Sequence, residues 1–310
     1  WDTVTAVVDY ARSVEQKHGK KFRFTITTNG LLLDDEKIAY INREMSNCVL
    51  SLDGRKKVND RNRPTPNGKG CYDVLVPKYQ KLVSERTQPN RTDYYVRGTF
   101  TKQNLDFAED VYHIASLGVS QLSVEPVAAP PETNYAIAEE DLPEIFRNYD
   151  RIYDVMAEGL RKNGERPFNF FHFMVDLNQG PCVIKRLRGC GCGNEYVAIT
   201  PDGEIYPCHQ FVGIEQWKLG NLSDGVLNQE IMNYFAKTHI YSKADCAKCW
   251  ARFYCSGGCN ANGFIYEGDV RKPMKLQCAT MRKRIECGIA LGVLQRELKE
   301  ADGEQAALVK

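Results

Sequence analysis

The chain has 310 residues, of which 43% are hydrophobic, so it is long enough for one large domain or for a medium domain with a smaller one. Its 41 basic and 40 acidic residues nearly cancel, which argues against a nucleic-acid partner or an anionic membrane surface. No apolar stretch is long enough to span a bilayer, so no membrane partner is expected.

Strand and helix patterns alternate through the first half of the chain. After an amphipathic helix over residues 1–20, the strand-like segments "KFRFTITTNG", "CVLSLDG", "DYYVRGTFT" and "SQLSVEPV" alternate with the helical segments "DDEKIAYINREM", "GCYDVLVPKYQKLVSERT" and "LDFAEDVYHIASLG". This order predicts an α/β fold with a parallel sheet. A ligand is then expected at the carboxyl ends of the strands, where Asn29, Ser51, Asp53 and Thr99 collect. The charged run "GRKKVNDRNR" is interpreted as a solvated face.

The second half contains a predicted hairpin, "EYVAITPDGEIYPCHQF", with its turn at Pro201-Asp202-Gly203. A helical tail follows from about 281 to 307.

Twelve cysteines are distributed unevenly, with ten of them in the last 129 residues. Four have the spacing C-x2-C-x5-C-x3-C from Cys246 to Cys259, and close spacing of this kind indicates metal ligands rather than a secreted disulfide framework. One zinc ion would use only four sulfurs, whereas two four-sulfur sites use nearly all of them. Spacing alone leaves zinc and iron-sulfur clusters both open, so a zinc-stapled, non-enzymatic binding module remains an alternative.

The segment from Cys190 to Cys278 resembles the SPASM domain that follows the barrel of radical S-adenosylmethionine enzymes, because seven cysteines and Gly203 have the family's intervals. "TNG", "SLDG" and "DRNR" resemble the cofactor side of the radical SAM barrel. The resemblance implies a partial (β/α)6 barrel over residues 1–175, a SPASM domain over 176–285 and a helical tail over 286–310. It also implies that Ser51 and Arg63 contact the methionine carboxylate of S-adenosylmethionine, with Asn29 beside them.

Further segments, "RGTFT", "SVEPV", "GPCVIKRL", "PCHQFVG" and "ARFYCSGGC", are similar to the maturases of SCIFF peptides. That similarity implies a cytoplasmic enzyme that uses a 5′-deoxyadenosyl radical to join a cysteine sulfur to a threonine α-carbon in a ribosomal, cysteine-rich precursor peptide. An electron donor such as a flavodoxin or ferredoxin is implied as a second partner. Sulfatase-maturing and quinone-cofactor-maturing enzymes, which have the same auxiliary domain, are the alternative within the class.

No C-x3-C-x2-C motif, which carries the family's catalytic 4Fe-4S cluster, occurs before Cys182. Because the chain starts with Trp1 inside a helical pattern, the first β-α-β unit of the barrel is expected to be missing. The fragment by itself is then expected to be inactive.

The family pattern divides the remaining ligands between two auxiliary 4Fe-4S clusters. The distal cluster would be held by Cys246, Cys249, Cys255 and Cys278. The proximal cluster would be held by Cys190, Cys208 and Cys259, and its fourth position would be filled by Cys192, by Cys182 or by substrate. His209 is a candidate proton acceptor, or else a hydrogen-bond partner of the cluster. The expectation for Cys48, Cys71 and Cys287 is that they are buried small hydrophobic residues.

Overall fold

A computed structural model of the chain describes residues 1–87, 93–175, 177, 183–225 and 227–308. The chain forms two compact units, of which the first comprises Trp1–Val127 and Asp150–Phe171 and the second Ala128–Tyr149 and His172–Lys310. Of the predicted first domain, 1–175, residues 128–149 and 172–175 group with the second unit, and the predicted domain bounds stay a prediction. None of the helices in the described ranges is long and apolar enough to cross a membrane.

The first unit contains a parallel sheet in which five strands follow one another in chain order. Its strands are β1 Thr25–Thr28, β2 Asn47–Ser51, β3 Asp93–Phe100, β4 Gln121–Pro126 and β5 Asn169–Phe170. The first four strands agree with the sequence prediction, whereas β5, with only two residues, was not predicted. Side chains on one face of β3 alternate into the core, where Val96 and Phe100 are fully buried and Phe100 stacks on Phe107.

Helix α1, Asp2–His18, precedes the sheet. The helices that connect its first four strands, as parallel pairing requires, are α2 Asp35–Glu44, α3 Lys56–Asn62, α4 Tyr72–Ser84 and α5 Phe107–Ser116. Helix α2 begins where the Asp34 side chain accepts a hydrogen bond from Lys37 N at 2.8 Å. Helix α3 corrects one prediction, because part of the run read as a solvated face forms a helix that buries Val58 and Asn59.

Helix α6, Leu142–Asn163, contributes residues to both units. The second unit also contains a three-stranded antiparallel sheet of β6 Ala198–Ile199, β7 Glu204–Tyr206 and β8 Gly220–Asn221. The predicted hairpin is confirmed as β6 and β7, and its turn uses Gly203 at φ 82°, a conformation that favours glycine.

The other helices of the second unit are α7 Val183–Arg188, α8 Gln229–Ala236, α9 Ala244–Ala247, α10 Arg252–Cys255, α11 Asn260–Glu267 and α12 Lys275–Leu308. Helix α12 is continuous across the predicted boundary at 285 and 286, so the tail is an extension of this domain's last helix. Short 3₁₀ turns lie at Lys102–Asn104, Glu139–Asp141, Phe171–Phe173, His209–Phe211 and Glu215–Trp217.

Candidate functional site: a polar strand end and two cysteine groups

The first candidate site lies at the carboxyl ends of β2 and β3. Asp53 is 2% exposed, and its Oδ1 accepts hydrogen bonds from Arg63 Nη2 and from Thr99 N, each at 2.9 Å. The close approach of the two strands depends on Gly98, because a Cβ there would lie 2.6 Å from the Leu52 carbonyl oxygen. The carboxylate of Asp53 thus fixes a guanidinium at the strand ends.

Arg63 retains hydrogen-bonding capacity after this ion pair. Its Nε is buried without a hydrogen-bond partner, while about a third of its side chain, 30%, is exposed. A guanidinium held on one side by a carboxylate and open on the other fits the carboxylate of a bound amino-acid group. Ser51 ends β2, and its carbonyl oxygen accepts a hydrogen bond from Tyr79 Oη at 3.1 Å. Exposed Asn29 accepts a hydrogen bond from Leu31 N at 3.3 Å through its own Oδ1.

Asp53, to which the sequence analysis gave a position but no role, organises this site. Asp53 was expected at the strand ends, but the pairing with Arg63 was not. The segment "SLDG" could have indicated this ion pair, because a buried acidic side chain after a strand requires a hydrogen-bonding or charged partner.

The loop after β2 is anchored by a second buried carboxylate, Asp110, which has no exposed surface. Its oxygens accept hydrogen bonds from Arg55 N at 3.0 Å, from Arg55 Nε at 2.8 Å and from Asn104 Nδ2 at 3.1 Å. The bond to Asp110 is the largest influence that raises the pKa of Arg55. Gly54 lies directly against Asp110, since a Cβ at Gly54 would be 2.3 Å from the aspartate Cβ.

In the second unit, thiols of the predicted proximal set influence one another's pKa values. The Cys192 thiol beside them lowers the pKa of Cys190 to about 6 and that of Cys208 to about 7. The thiols of Cys190 and Cys208, together with burial, raise the pKa of Cys192. Burial also raises the pKa of Cys259, and the Cys208 and Cys190 thiols add to that rise. Gln210 Nε2 donates to Cys259 Sγ at 3.7 Å.

An aromatic core supports this proximal group. Cys192 and Cys208 are buried in one hydrophobic cluster with Phe211 and Phe235. The rings of these two phenylalanines lie 5.6 Å apart in an edge-to-face arrangement. The sulfur atoms are thereby partly shielded from water.

The predicted distal set forms a second group. Its four thiols line one pocket, together with the apolar side chains of Ala251, Pro273 and Met281, and they are Cys246, Cys249, Cys255 and Cys278. Burial raises the pKa of Cys278 to about 11, with the neighbouring thiols of Cys255 and Cys246 adding to the effect. The backbone between Cys255 and Cys259 is left-handed at three successive residues, Ser256, Gly257 and Gly258. This turn allows Cys255 to belong to the distal group while Cys259, four residues later, belongs to the proximal group.

Within the described residues, no three histidine, cysteine or acidic side chains converge as ligands of a single metal ion. The four thiols that line this pocket match in number the four cysteine ligands of a 4Fe-4S cluster. The residues present therefore fit an iron-sulfur cluster.

Other predicted residues have simpler positions. Cys48, Cys71 and Cys287 are buried, as predicted, and burial raises the pKa of Cys48 to about 12. His209 lies exposed directly after Cys208, and its role stays a prediction. Cys182 lies outside the described residues.

The geometry agrees with the comparisons to known proteins. Residues 190–250 match the SPASM iron-sulfur cluster-binding domain. The chain is 22% identical over 268 residues to a cysteine-type anaerobic sulfatase-maturating enzyme of Clostridium perfringens, covering 79% of this chain and 67% of the relative. It spans about two thirds of that relative's length.

Two solved structures have a similar fold. One is native anSMEcpe with bound AdoMet and Cp18Cys peptide, with a TM-score of 0.69 and 19% identity over 94% of this chain and 81% of that one. The other is Streptococcus suis SuiB bound to S-adenosylmethionine, with a TM-score of 0.51 and 19% identity over 82% of this chain and 59% of that one. At this identity the two structures establish the fold.

Together these findings agree with the predicted class, radical SAM/SPASM maturases: the chain has a SPASM iron-sulfur domain over residues 190–250, and it is similar in sequence and fold to sulfatase-maturating enzymes. Relatives with a named activity include cysteine-type and serine-type anaerobic sulfatase-maturating enzymes.

Proposed function

We propose that this chain is part of a radical SAM enzyme that installs a thioether between a cysteine sulfur and a threonine α-carbon in a ribosomal, cysteine-rich precursor peptide. The class rests on the SPASM match and the shared fold. The specific reaction rests on the segments "RGTFT", "SVEPV" and "PCHQFVG", which are similar to those of SCIFF maturases. The observation that carries the proposal is the division of eight thiols into two groups in the second unit.

The strand-end site would bind S-adenosylmethionine, which supplies the 5′-deoxyadenosyl radical when it is bound and reductively cleaved. Arg63 would bind the methionine carboxylate through the exposed part of its side chain, and Ser51 would donate a hydroxyl hydrogen bond to the same group. Asp53 would hold Arg63 in place, and Asn29 would lie at the rim. The site's contribution is orientation, since the cofactors carry the difficult chemistry.

The eight cysteines would hold two auxiliary 4Fe-4S clusters, with Cys192 as the fourth proximal ligand because it contacts both Cys190 and Cys208. Cys259→Ala and Cys255→Ala form a matched pair for testing the partition, since the two residues are four positions apart. We expect each variant to fall from about eight irons to about four. The clusters that remain should differ between the variants in their electron paramagnetic resonance spectra. Loss of the same cluster in both variants would refute the partition.

The fourth-ligand assignment has its own control. Cys192→Ala should perturb the spectrum of the proximal cluster, whereas Cys71→Ala, which also removes a buried thiol, should leave both clusters unchanged. An unchanged spectrum for Cys192→Ala would leave Cys182 or a substrate sulfur as the fourth ligand.

Sulfatase maturation is the second candidate function, because the sulfatase-maturating enzymes match the chain in sequence and in fold. The two functions differ in their products. The full-length protein that contains this chain would be expressed anaerobically with a candidate precursor and a flavodoxin or ferredoxin as electron donor. A precursor that loses two hydrogens and has one cysteine protected from alkylation supports thioether formation. A formylglycine product supports sulfatase maturation and rejects our proposal.

A further inference from the structure

A lysine in the second unit is buried between the two cysteine groups. Lys243 is 3% exposed and precedes the first cysteine of the distal set. Its Nζ donates to the carbonyl oxygen of Gly257 and to Asn260 Oδ1, each at 2.8 Å. Both partners belong to the segment around Cys259, where the chain passes from the distal to the proximal group.

The surroundings of this ammonium group contain thiols of both sets. Burial lowers the pKa of Lys243, and the thiols of Cys246, Cys255, Cys259 and Cys278 oppose that change. Three of these four thiols belong to the distal group, and Cys259 belongs to the proximal one. Lysine is seldom fully buried without a paired anion, yet the two acceptors of Lys243 are a carbonyl and an amide. When the proposed clusters are bound, the cysteine thiolates that ligate them would supply the counter-charge.

We infer that Lys243 is a shared buried cation that holds the Gly257–Asn260 turn and raises the reduction potentials of both SPASM clusters. This inference rests on the proposed clusters. A reduced cluster has one more negative charge than an oxidised one, and a nearby positive charge in a low-dielectric site stabilises the reduced form. The effect of an exposed lysine on the same clusters is weaker, because water and salt screen it.

The test uses the 310-residue chain, reconstituted anaerobically with iron and sulfide. Reduction potentials are measured by dithionite titration monitored by electron paramagnetic resonance, so no turnover is required. Lys243→Met keeps the length of the side chain and removes its charge. We expect the one-electron reduction equilibrium of both clusters to shift at least tenfold toward the oxidised form, which is 59 mV or more.

Lys248→Met is the matched control, since Lys248 is exposed and adjacent to Cys249 but the change in charge is the same. We expect less than a threefold shift for this variant. Asn260→Asp is a second test that retains the lysine. The aspartate accepts the same hydrogen bond and adds a negative charge beside the ammonium, so both potentials should again fall.

Several outcomes would overturn the inference. One is that Lys243→Met and Asn260→Asp both bind iron-sulfur clusters and that the reduction potentials of these clusters equal those of the unmodified chain. Another is that Lys248→Met shifts the potentials as much as Lys243→Met does. Loss of iron from both Lys243→Met and Asn260→Asp would assign Lys243 to cluster assembly and would also reject the inference. If the unmodified chain binds no iron-sulfur cluster at all, the proposed function itself has failed, and the two failures are thereby distinguished.

Discussion

The buried carboxylate of Asp110 offers a quantitative test of how the loop after β2 is held. Asp110→Asn preserves the shape of the side chain but replaces one acceptor oxygen by an amide donor. The two oxygens of Asp110 face Arg55 and Asn104, which donate to them. In the variant, one side of the amide would oppose a donor inside the protein. The loop that carries Asp53 should loosen as a result.

The expected magnitude follows from the burial of the two partners. Removing one partner of a buried pair costs about 3 to 5 kcal/mol. The Arg55 side chain is 35% exposed, so water compensates part of that loss and the expected cost is about 2 to 3 kcal/mol. For a unit of this size, that corresponds to a fall of about 4 to 12 °C in the midpoint of thermal unfolding.

A matched control lies next to this pair in the chain. Lys56 follows Arg55 and pairs with Asp73, whose side chain is 72% exposed. Asp73→Asn should change stability by less than about 0.5 kcal/mol, because exposed ion pairs contribute little. Thermal unfolding followed by circular dichroism on the reduced, metal-free chain measures both variants, and hydrogen exchange of residues 51–58 locates the change. Equal midpoints for the two variants would refute the reasoning.

Three further predictions concern the strand ends and the cysteines. Gly98→Ala should lower the stability of the first unit by about 1 to 3 kcal/mol, because the new methyl group would meet the Leu52 carbonyl oxygen. An unchanged midpoint of thermal unfolding would contradict the close approach of β3 to the Leu52 backbone. In the metal-free chain, the alkylation rate of Cys190 should rise as its thiolate forms near pH 6 and should be level above pH 7. Cys48, with a pKa of about 12, should stay unreacted over the same range. Peptide mass mapping measures the labelling of each cysteine, and equal labelling of Cys190 and Cys48 would reject the prediction. Arg63→Gln should weaken S-adenosylmethionine binding at least tenfold in calorimetry, and unchanged affinity would place the carboxylate elsewhere.

The elements that the sequence did not predict are β5 and helix α3, and they were missed because one is very short and the other buries residues of a charged segment. β1 to β4 were predictable because each lies in a short strand-like segment that alternates with a helical pattern along the chain. β5, with two residues, has no such run, and its pairing with β4 is a tertiary event. Helix α3 lies in a charged stretch, and its burial of Val58 and Asn59 is not evident from hydrophobic periodicity.

The sequence by itself determined the alternation of strands and helices and the SPASM spacing of the cysteines, because each depends on local period or on intervals along the chain; the class of enzyme was implied by resemblance to a known family. Only the tertiary structure decided that Asp53 binds Arg63, that Cys192 contacts Cys190 and Cys208, and that Lys243 is buried. The first two depend on how loops fold back on the chain, and the burial of Lys243 opposes the usual preference of lysine for solvent. Their energies come from hydrogen bonds and charges in sites from which folding has removed water, and no local pattern encodes that removal.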